Sequence, residues 1–262
     1  MKISVIVPCH NGEKYVEGCL RTLASQTYKY LEIIIVDDGS SDRSLSVIEQ
    51  AIASMMPTVL LIKQSHKGVS ASRNVGMDHA SGDYIHFLDI DDEINSEFYE
   101  MLAETAKTTA SDIVACNVIN EAKPHRNISY EVTEIVTSTE ERLGLTNVGR
   151  RGSAWRFLFR LDFLKEQGLR FDETRISGED RVFSLQAVYF AKSVATEPRA
   201  TYYYRKNEGS IMNTQSAELK KRRHADWQRV KEFYISFAEE HKIIIPGIPT
   251  GKLSRYVLRW FK

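Results

Sequence analysis

The sequence predicts an α/β fold built on a parallel sheet with helices packed against it. Four short, β-branched apolar runs occupy residues 3–7, 31–36, 59–62 and 84–88, and each has the length of a buried parallel strand. Segments with apolar residues at helical spacing separate these runs. This alternation predicts repeated strand–helix–strand units and hence a parallel, helix-flanked sheet.

The first two helical patterns each place their apolar residues on one face. In the first pattern these residues are Val16, Cys19, Leu20 and Leu23. In the second, which follows an N-cap signal at residues 40–42, they are Leu45, Ile48 and Ile52. Farther along the chain, we expect a helix at residues 96–110 and a strand at residues 113–119.

Residues 121–152 are polar and contain Pro124, Gly144, Gly149 and Gly152. Turn-forming residues at this density predict loops, an edge hairpin or a mobile segment that covers a site. We expect the substrate-facing insertion here. The sequence shows no internal repeat, and its 262 residues are compatible with one enlarged, continuous α/β unit.

The composition argues against several classes of protein. The chain has 35 basic and 35 acidic residues, so it does not have the charge of a general nucleic-acid binder. Three cysteines without zinc-site spacing predict reduced thiols in a cytoplasmic protein rather than a disulfide framework. No apolar stretch approaches the roughly 20 residues that span a bilayer, so we expect any membrane contact to be peripheral.

The last part of the sequence is basic. Residues 219–262 contain 11 Lys or Arg and 4 Asp or Glu, a net charge of +7. Cations there are interleaved with apolar residues at helical spacing, namely Leu253, Tyr256, Val257, Trp260 and Phe261. Two interpretations stay open: the segment lies on an anionic membrane that holds a lipid-linked acceptor, or it docks onto the protein itself or onto a second subunit of a homodimer.

Ligands of open parallel sheets bind at the carboxyl ends of the strands, so the residues after each apolar run are candidate site residues. Residues 8–13 follow the first run and contain neither a G-x-G-x-x-G fingerprint nor a P-loop. Asp37 and Asp38 follow the second run in the sequence Asp-Asp-Gly-Ser. Their carboxylates are suited to a base or a ribose, although the four residues also suit a simple turn and helix cap.

Two other segments carry charges at the start of predicted helices. Lys67 and Arg73 accompany a glycine and several small residues, and cations beside helix N-terminal amides are suited to binding a diphosphate. Glu179 and Asp180 precede a later apolar helical pattern and are candidates for a general base. The alternative for both segments is an ordinary solvated helix start.

The sharpest signal is the acidic segment after the fourth run, where Asp89, Asp91, Asp92 and Glu93 place four acids in five positions. Like charges this close repel each other, which indicates a bound cation. Hard carboxylate oxygens favour Mg²⁺ or Mn²⁺ bridged to substrate phosphates. The alternative is a solvated acidic turn.

Taken together and in this order, the motifs resemble family 2 glycosyltransferases. The matching segments are residues 5–8, 37–42, 68–74, 87–92 and 178–180. The resemblance is dense over residues 3–95, thinner to residue 205 and weak afterwards. It implies a GT-A fold, in which a Rossmann-like, mostly parallel mixed sheet is flanked by helices, here with a C-terminal helical extension.

The resemblance also implies how the chain is divided. Residues 1–110 would form the half that binds the nucleotide sugar, and residues 111–218 would form the half that binds the acceptor and carries the catalytic base. Residues 219–262 would form a basic helical extension. Both halves would belong to one continuous domain.

Residue roles follow from the resemblance in the same way. The implied nucleotide-sugar contacts are Pro8, His10, Glu13, Asp38, Lys67, Arg73, Asp89 and Arg205. Asp91 and Asp89 would ligate Mn²⁺ or Mg²⁺ in a D-x-D motif, with Asp92 supporting the metal. Asp180 corresponds to the catalytic base, with Glu179 orienting it or contacting the acceptor. Three alternatives stay open. His10 could be a surface imidazole, and Arg73 could hold the acidic loops in place. The tyrosines at residues 202–204, just before Arg205, could be strand packing and not part of a site.

The implied activity is transfer of a sugar, with inversion, from a nucleoside diphosphate donor, with UDP favoured, to a hydroxyl of a glycan or lipid-linked glycan. The resemblance suggests bacterial cell-surface polysaccharide synthesis at the inner face of the membrane. One alternative is a sugar-phosphate nucleotidyltransferase, but residues 8–13 lack its Gly-rich, Arg-containing loop. The other is a non-catalytic nucleotide-sugar-binding protein, against which the intact acids argue.

Overall fold

The computed structural model describes residues 1–55, 59–206 and 216–248. Its strands are β1 (Ile3–Cys9), β2 (Leu31–Asp38), β3 (Val59–Gln64), β4 (Tyr84–Phe87), β5 (Glu93–Ile94), β6 (Ile113–Asn120), β7 (Ile135–Val136), β8 (Phe157–Arg160) and β9 (Val194–Tyr204). Its α-helices are α1 (Val16–Ala24), α2 (Ser44–Met55), α3 (Val69–His79), α4 (Phe98–Thr109), α5 (Thr139–Thr146), α6 (Leu161–Glu166), α7 (Glu179–Phe190) and α8 (Ala217–Glu240). Short 3₁₀ helices lie at Pro124–Arg126 and Ala154–Arg156.

Within the described ranges, one sheet carries the strands in the order β3-β2-β1-β4-β8-β6-β9-β5, and β7 pairs with β9. Strands β1 to β4 pair in parallel. Strand β8 runs antiparallel between β4 and β6, whereas β6 and β9 pair in parallel. The short strands β5 and β7 run antiparallel to β9. The N-terminal half is therefore parallel and the remainder is mixed, which confirms the predicted fold class.

Both faces of the central strands are buried, which explains their uninterrupted apolar sequences. In β1, Ile6 packs into the apolar layer on one face, while Val5 and Val7 pack into the layer on the other. Helix α3 lies so close to β1 that a Cβ atom at Gly76 would be 2.5 Å from the Ile6 side chain. This tight packing fixes α3, and with it the polar residues at its start, against the edge of the sheet where the strands end.

The segment expected to be irregular, residues 121–152, contains the regular helix α5. Its N-terminus has a capping box in which Ser138 and Glu141 satisfy each other's backbone amides. The buried residues of this helix include Arg142 and Thr146 beside Leu143. Because two of these three buried positions are polar, the segment lacks the apolar periodicity by which a helix is recognised in a sequence.

Helix α8 packs against the start of α7. The Tyr234 hydroxyl donates a hydrogen bond to the main-chain oxygen of Arg181 at 3.2 Å. Gly178, the N-cap of α7, has a left-handed backbone with φ of 77°, and a Cβ atom there would lie 2.7 Å from the Val230 side chain. The basic C-terminal part of the chain therefore includes a helix that holds the loop in front of the two α7 acids.

The amphipathic segment predicted at residues 253–261 lies outside the described residues. Among the helices that are described, none combines the length and the apolar character needed to cross a membrane.

Candidate active site

The candidate site lies where strands β2 and β4 end and helix α7 begins. Asp38 is the last residue of β2, Asp89 follows β4 after one intervening residue, and Glu179 and Asp180 are the first two residues of α7. The strands end at the edge of the sheet at which ligands of such folds bind. The structure therefore brings acids from three distant parts of the sequence toward one edge.

Arg73 joins the two acidic motifs. Its guanidinium donates to Asp89 Oδ1 at 2.8 Å and to Glu179 Oε1 at 2.9 Å, and its side chain is only 5% exposed. Burial by itself would lower the pKa of Arg73, but the carboxylates of Asp89, Glu179 and Asp180 raise it above its ordinary value. These contacts support the interpretation in which Arg73 holds the acidic loops in place.

Asp92 fixes the Asp-rich loop to strand β9. This buried carboxylate accepts hydrogen bonds from the Tyr202 hydroxyl at 2.7 Å and from the Arg205 amide at 2.9 Å. Burial, followed by the charges of Asp89 and Asp91, raises its pKa well above the usual range. The repulsion among these acids is the kind that a bound cation relieves.

Asp91 and Asp89 fit the carboxylate ligands of a divalent cation. Both are partly exposed, and Arg73 contacts the Oδ1 atom of Asp89. Magnesium-type cations are commonly held by one or two carboxylates together with waters and substrate phosphates, so a cage made only of protein atoms is not required. The chemistry of the donor set, two partly exposed carboxylates on one loop, is what fits a divalent cation here.

Asp180 has the electrostatic setting of a general base. Its Oδ1 atom accepts a hydrogen bond from the Arg181 amide at 2.8 Å. Burial and then the charge of Glu179 raise the pKa of Asp180 to about 7, against the opposing effects of Arg73 and Arg181. A carboxyl group that titrates near neutral pH is suited to accept a proton from a hydroxyl group.

Asp38 anchors the loop between β3 and α3. Its buried carboxylate accepts hydrogen bonds from the amides of Lys67 and Gly68, both at 2.8 Å, and from the Gln64 side chain at 2.7 Å. Burial would raise the pKa of Asp38, but these hydrogen bonds lower it below the ordinary value. The carboxylate is therefore ionised at neutral pH.

Two histidines stack beside Asp38. The rings of His10 and His66 have centroids 4.0 Å apart. The Nδ1 atom of His10 donates to the main-chain oxygen of Asp38 at 2.7 Å, and that of His66 lies 2.8 Å from Asp38 Oδ2. Ligand atoms of these three residues lie within 4.8 Å of one another. Hydrogen bonding already accounts for this grouping, and the predicted contact of His10 with a nucleoside stays a prediction.

Three other predicted nucleotide contacts lie near the same loops. Pro8 is in β1, where it is partly buried opposite Val36. The Glu13 carboxylate accepts hydrogen bonds from the Arg43 amide at 3.1 Å and from its side chain at 3.4 Å. Lys67 is exposed, and its amide is one of the donors to Asp38.

The Arg205 side chain forms ion pairs with two acidic residues. Its guanidinium donates to Glu93 and Glu121, in addition to the amide contact with Asp92. Each of these two contacts uses one N–H of a terminal nitrogen, and a guanidinium has further donors, so the contact of Arg205 with a phosphate stays a prediction.

Three stacked aromatic residues, Trp155, Tyr202 and Tyr204, pack beside the Asp-rich loop and were not predicted as part of the site. We call them the aromatic wall. The Tyr202 hydroxyl also accepts a hydrogen bond from the Asp89 amide at 3.3 Å. Trp155 stacks on Tyr202 and Tyr204, with ring centroids 4.3 and 5.7 Å away. Burial first, and then the charges of Asp92, Asp89, Asp91 and Asp180, raises the pKa of Tyr204 to about 12. The period-2 alternation of β9 places Tyr202 and Tyr204 on one face and is the sequence signal that could have indicated this wall.

Comparison with solved structures gives the class of fold. A structure of Staphylococcus aureus TarS residues 1–349 in complex with UDP-GlcNAc matches with a TM-score of 0.71 and 25% identity, over 91% of this chain and 73% of that chain. The mannosyltransferase PcManGT from Pyrobaculum calidifontis, in complex with GDP-Man and Mn²⁺, matches with a TM-score of 0.59 and 18% identity, over 80% of this chain and 59% of that chain. The latter likeness concerns the fold alone. The chain has the GT-A fold.

Sequence comparison gives the family. The model of Glycosyl transferase family 2 matches residues 4–167, and this chain belongs to that family. EpsJ of Bacillus subtilis (strain 168), described as an uncharacterized glycosyltransferase, is 33% identical over 215 residues, which is 80% of this chain and 62% of EpsJ. TarS of S. aureus (strain MW2), a poly(ribitol-phosphate) beta-N-acetylglucosaminyltransferase, is 29% identical over 219 residues, which is 82% of this chain and 37% of TarS. The match thus spans less than two thirds of the length of either relative.

Proposed function

We propose that this chain transfers a sugar from a nucleoside diphosphate donor, with UDP favoured, to a hydroxyl acceptor with inversion at the anomeric carbon. The observation that carries the proposal is the bridge from Asp89 through Arg73 to Glu179, because it sets the Asp-rich loop beside Asp180. The similarity to a TarS structure that contains UDP-GlcNAc supports the choice of UDP. The family membership supports the reaction class.

The chemistry follows from the groups at the site. A carboxylate oxygen of Asp180 would take the proton of the acceptor hydroxyl as the hydroxyl oxygen attacks the anomeric carbon. One displacement from the face opposite the diphosphate inverts the configuration. Glu179, fixed by Arg73, would keep Asp180 in position. Asp91 and Asp89 would hold Mn²⁺ or Mg²⁺, which when bound neutralises charge on the departing diphosphate.

The remaining assignments are part of the same proposal. Asp38, His10, Glu13, Pro8 and Lys67 would line the nucleoside and diphosphate side. The acceptor would be a glycan or lipid-linked glycan used in cell-surface polysaccharide synthesis, and the chain would act at the inner face of the membrane. The relationship to TarS supports this setting, since that protein is named for a poly(ribitol-phosphate) acceptor.

Metal-dependent donor binding tests the proposal directly. We expect UDP or a UDP-sugar to raise the Tm of the chain in the presence of Mn²⁺, because a ligand at about 100 times its Kd stabilises the folded state by ~2.7 kcal/mol. Asp91→Ala should remove the manganese-dependent part of the shift, as measured by differential scanning fluorimetry. Asp162→Ala, which changes an exposed acid on α6, is the matched control. Failure of every nucleoside diphosphate and nucleotide sugar to raise the Tm would refute the proposed function.

The pH dependence of transfer tests the assignment of the base. Since the pKa of Asp180 is about 7, the ionised, proton-accepting fraction rises with pH up to that value and levels off above it. We therefore expect kcat/KM to increase about tenfold per pH unit below pH 6 and to reach a plateau near pH 8. Donor affinity measured over the same range serves as the control. A kcat/KM that is flat from pH 5.5 to 8.5 would contradict the assignment.

A further inference from the structure

A small cavity on the acceptor half of the chain is surrounded by cations. It has a volume of about 60 Å³, and the arginines that line it are Arg126, Arg150, Arg151, Arg156 and Arg181. We call this cavity the arginine pocket.

In the part of the chain that the structure describes, none of the five arginines takes part in an ion pair within 4.0 Å. Of the five, Arg181 interacts electrostatically with the Asp180 carboxylate. Burial lowers the pKa of Arg151, and the positive charges of the other four arginines of the pocket lower it further. Two guanidinium nitrogens, Arg151 Nη1 and Arg156 Nε, are buried without a hydrogen-bond partner. Arg156 itself is 1% exposed. Buried cations and unpartnered donors are stabilised by an anion.

The pocket is also held in shape by the main chain. Arg151 donates to the carbonyl oxygen of His125 at 3.0 Å, and Arg156 donates to that of Thr146. Arg181 donates to the carbonyl oxygen of Arg150 at 2.9 Å. These contacts orient the guanidinium groups before any ligand arrives, which reduces the entropy that binding would otherwise cost.

The pocket adjoins the proposed site of transfer. Arg181 follows the proposed base, Asp180, and its amide donates to that carboxylate. Trp155 also lines the pocket, and it stacks on Tyr202 of the aromatic wall. All lining residues fall within residues 118–181, whereas most of the proposed nucleotide contacts fall within residues 8–89. The location therefore favours a group on the acceptor over the donor diphosphate.

We propose that the arginine pocket binds a phosphate group of the acceptor, so that the sugar is added to a hydroxyl on a phosphate-bearing molecule. This inference rests on the proposed function. Planar guanidinium groups bind phosphate oxygens through paired, charge-assisted hydrogen bonds, and several together favour phosphate over a neutral glycan. The phosphate belongs either to a phosphodiester within a polymer or to a lipid diphosphate, and both present the same oxygens to the pocket.

Titration calorimetry on the full chain loaded with UDP and Mn²⁺ tests this inference. The probes are a bis-glycerol phosphodiester, inorganic pyrophosphate and uncharged glycerol, all at one ionic strength. We expect a phosphate probe to bind and glycerol not to bind, and the stronger of the two phosphate probes distinguishes a polymer from a lipid diphosphate. Arg151→Gln should weaken the binding about 10- to 100-fold, the effect of losing one charge-assisted hydrogen bond.

Arg150→Gln is a second test variant because Arg150 is exposed and its replacement is compatible with folding. Arg21→Gln, which changes an exposed arginine on α1, should leave the affinities for phosphate and UDP unchanged. The inference is overturned if wild type binds neither phosphate probe, or if the two pocket variants lose UDP affinity as much as phosphate affinity. Absence of UDP binding by wild type would instead refute the proposed function, since titration of the UDP-free chain still measures the pocket.

Discussion

Asp180→Asn is expected to reduce the rate of sugar transfer by about 10²- to 10⁴-fold, the usual contribution of a positioned general base. Asn has the same shape and retains an oxygen that can accept the Arg181 amide at Oδ1, but it cannot take a proton from the acceptor. The measurement is the single-turnover rate with saturating donor. Donor affinity should stay within a few-fold of wild type, because Asp180 is proposed to act on the acceptor.

Stability provides the control for this variant. The folded-state pKa of Asp180 is raised to about 7 from an ordinary value of 3.8, so the folded state binds the proton more tightly than the unfolded state does. The contribution of this group to stability is present at low pH and is lost as pH rises from about 4 to about 7. At pH 8 we therefore expect Asn to leave the Tm unchanged or to raise it. Wild-type transfer rates in the folded variant would refute the role of Asp180.

The parallel half of the fold could be predicted because β1, β2 and β4 are buried on both faces and therefore read as continuous apolar runs. The edge strand β3 is apolar in sequence but only partly buried. Strand β2 illustrates the limit of this signal, since the predicted run stops at residue 36 while the strand continues through Asp37 and Asp38. Those acids extend the strand because β3 continues to pair with them as far as Gln64. The pattern reports burial, whereas hydrogen bonding to a neighbouring strand sets where a strand ends.

The candidate site could be predicted as a set of segments but not as a set of contacts. The topology rule for strand ends, together with the order of the motifs, indicated Asp38, the Asp-rich loop and the α7 acids. The resemblance left open that Arg73 holds the acidic loops, but its pairing with Glu179 could not be derived from the residues, because 106 positions separate the two and no local pattern encodes the contact. The arginine pocket could not be predicted for the same reason, since its five arginines lie in separate loops and at the start of helix α7.

Removal of the Arg73 bridge should have the largest effect on folding. Arg73→Met keeps the length of the side chain but leaves Asp89 and Glu179 without their shared cation, and the Glu179 side chain is only 10% exposed. Breaking a buried ion pair on one side costs about 3–5 kcal/mol, a large part of the ~5–15 kcal/mol that stabilises a typical domain. We expect a loss of that size in the free energy of unfolding, measured by urea denaturation.

Arg170→Met is the matched comparison, because Arg170 also forms a two-pronged ion pair, with Asp78, but its side chain is 47% exposed. Exposed pairs contribute about 0–1 kcal/mol, so this variant should retain most of its stability. Adding Glu179→Gln to Arg73→Met should recover part of the loss, because the neutral amide removes one uncompensated charge. Equal stabilities of the two arginine variants would show that Arg73 does not hold the acidic motifs together. Arg73 also packs against Phe171, whose ring centroid lies 5.2 Å from the guanidinium. The change at Glu179 affects the uncompensated charge but not this packing. Recovery in the double variant therefore attributes the loss of stability to charge pairing.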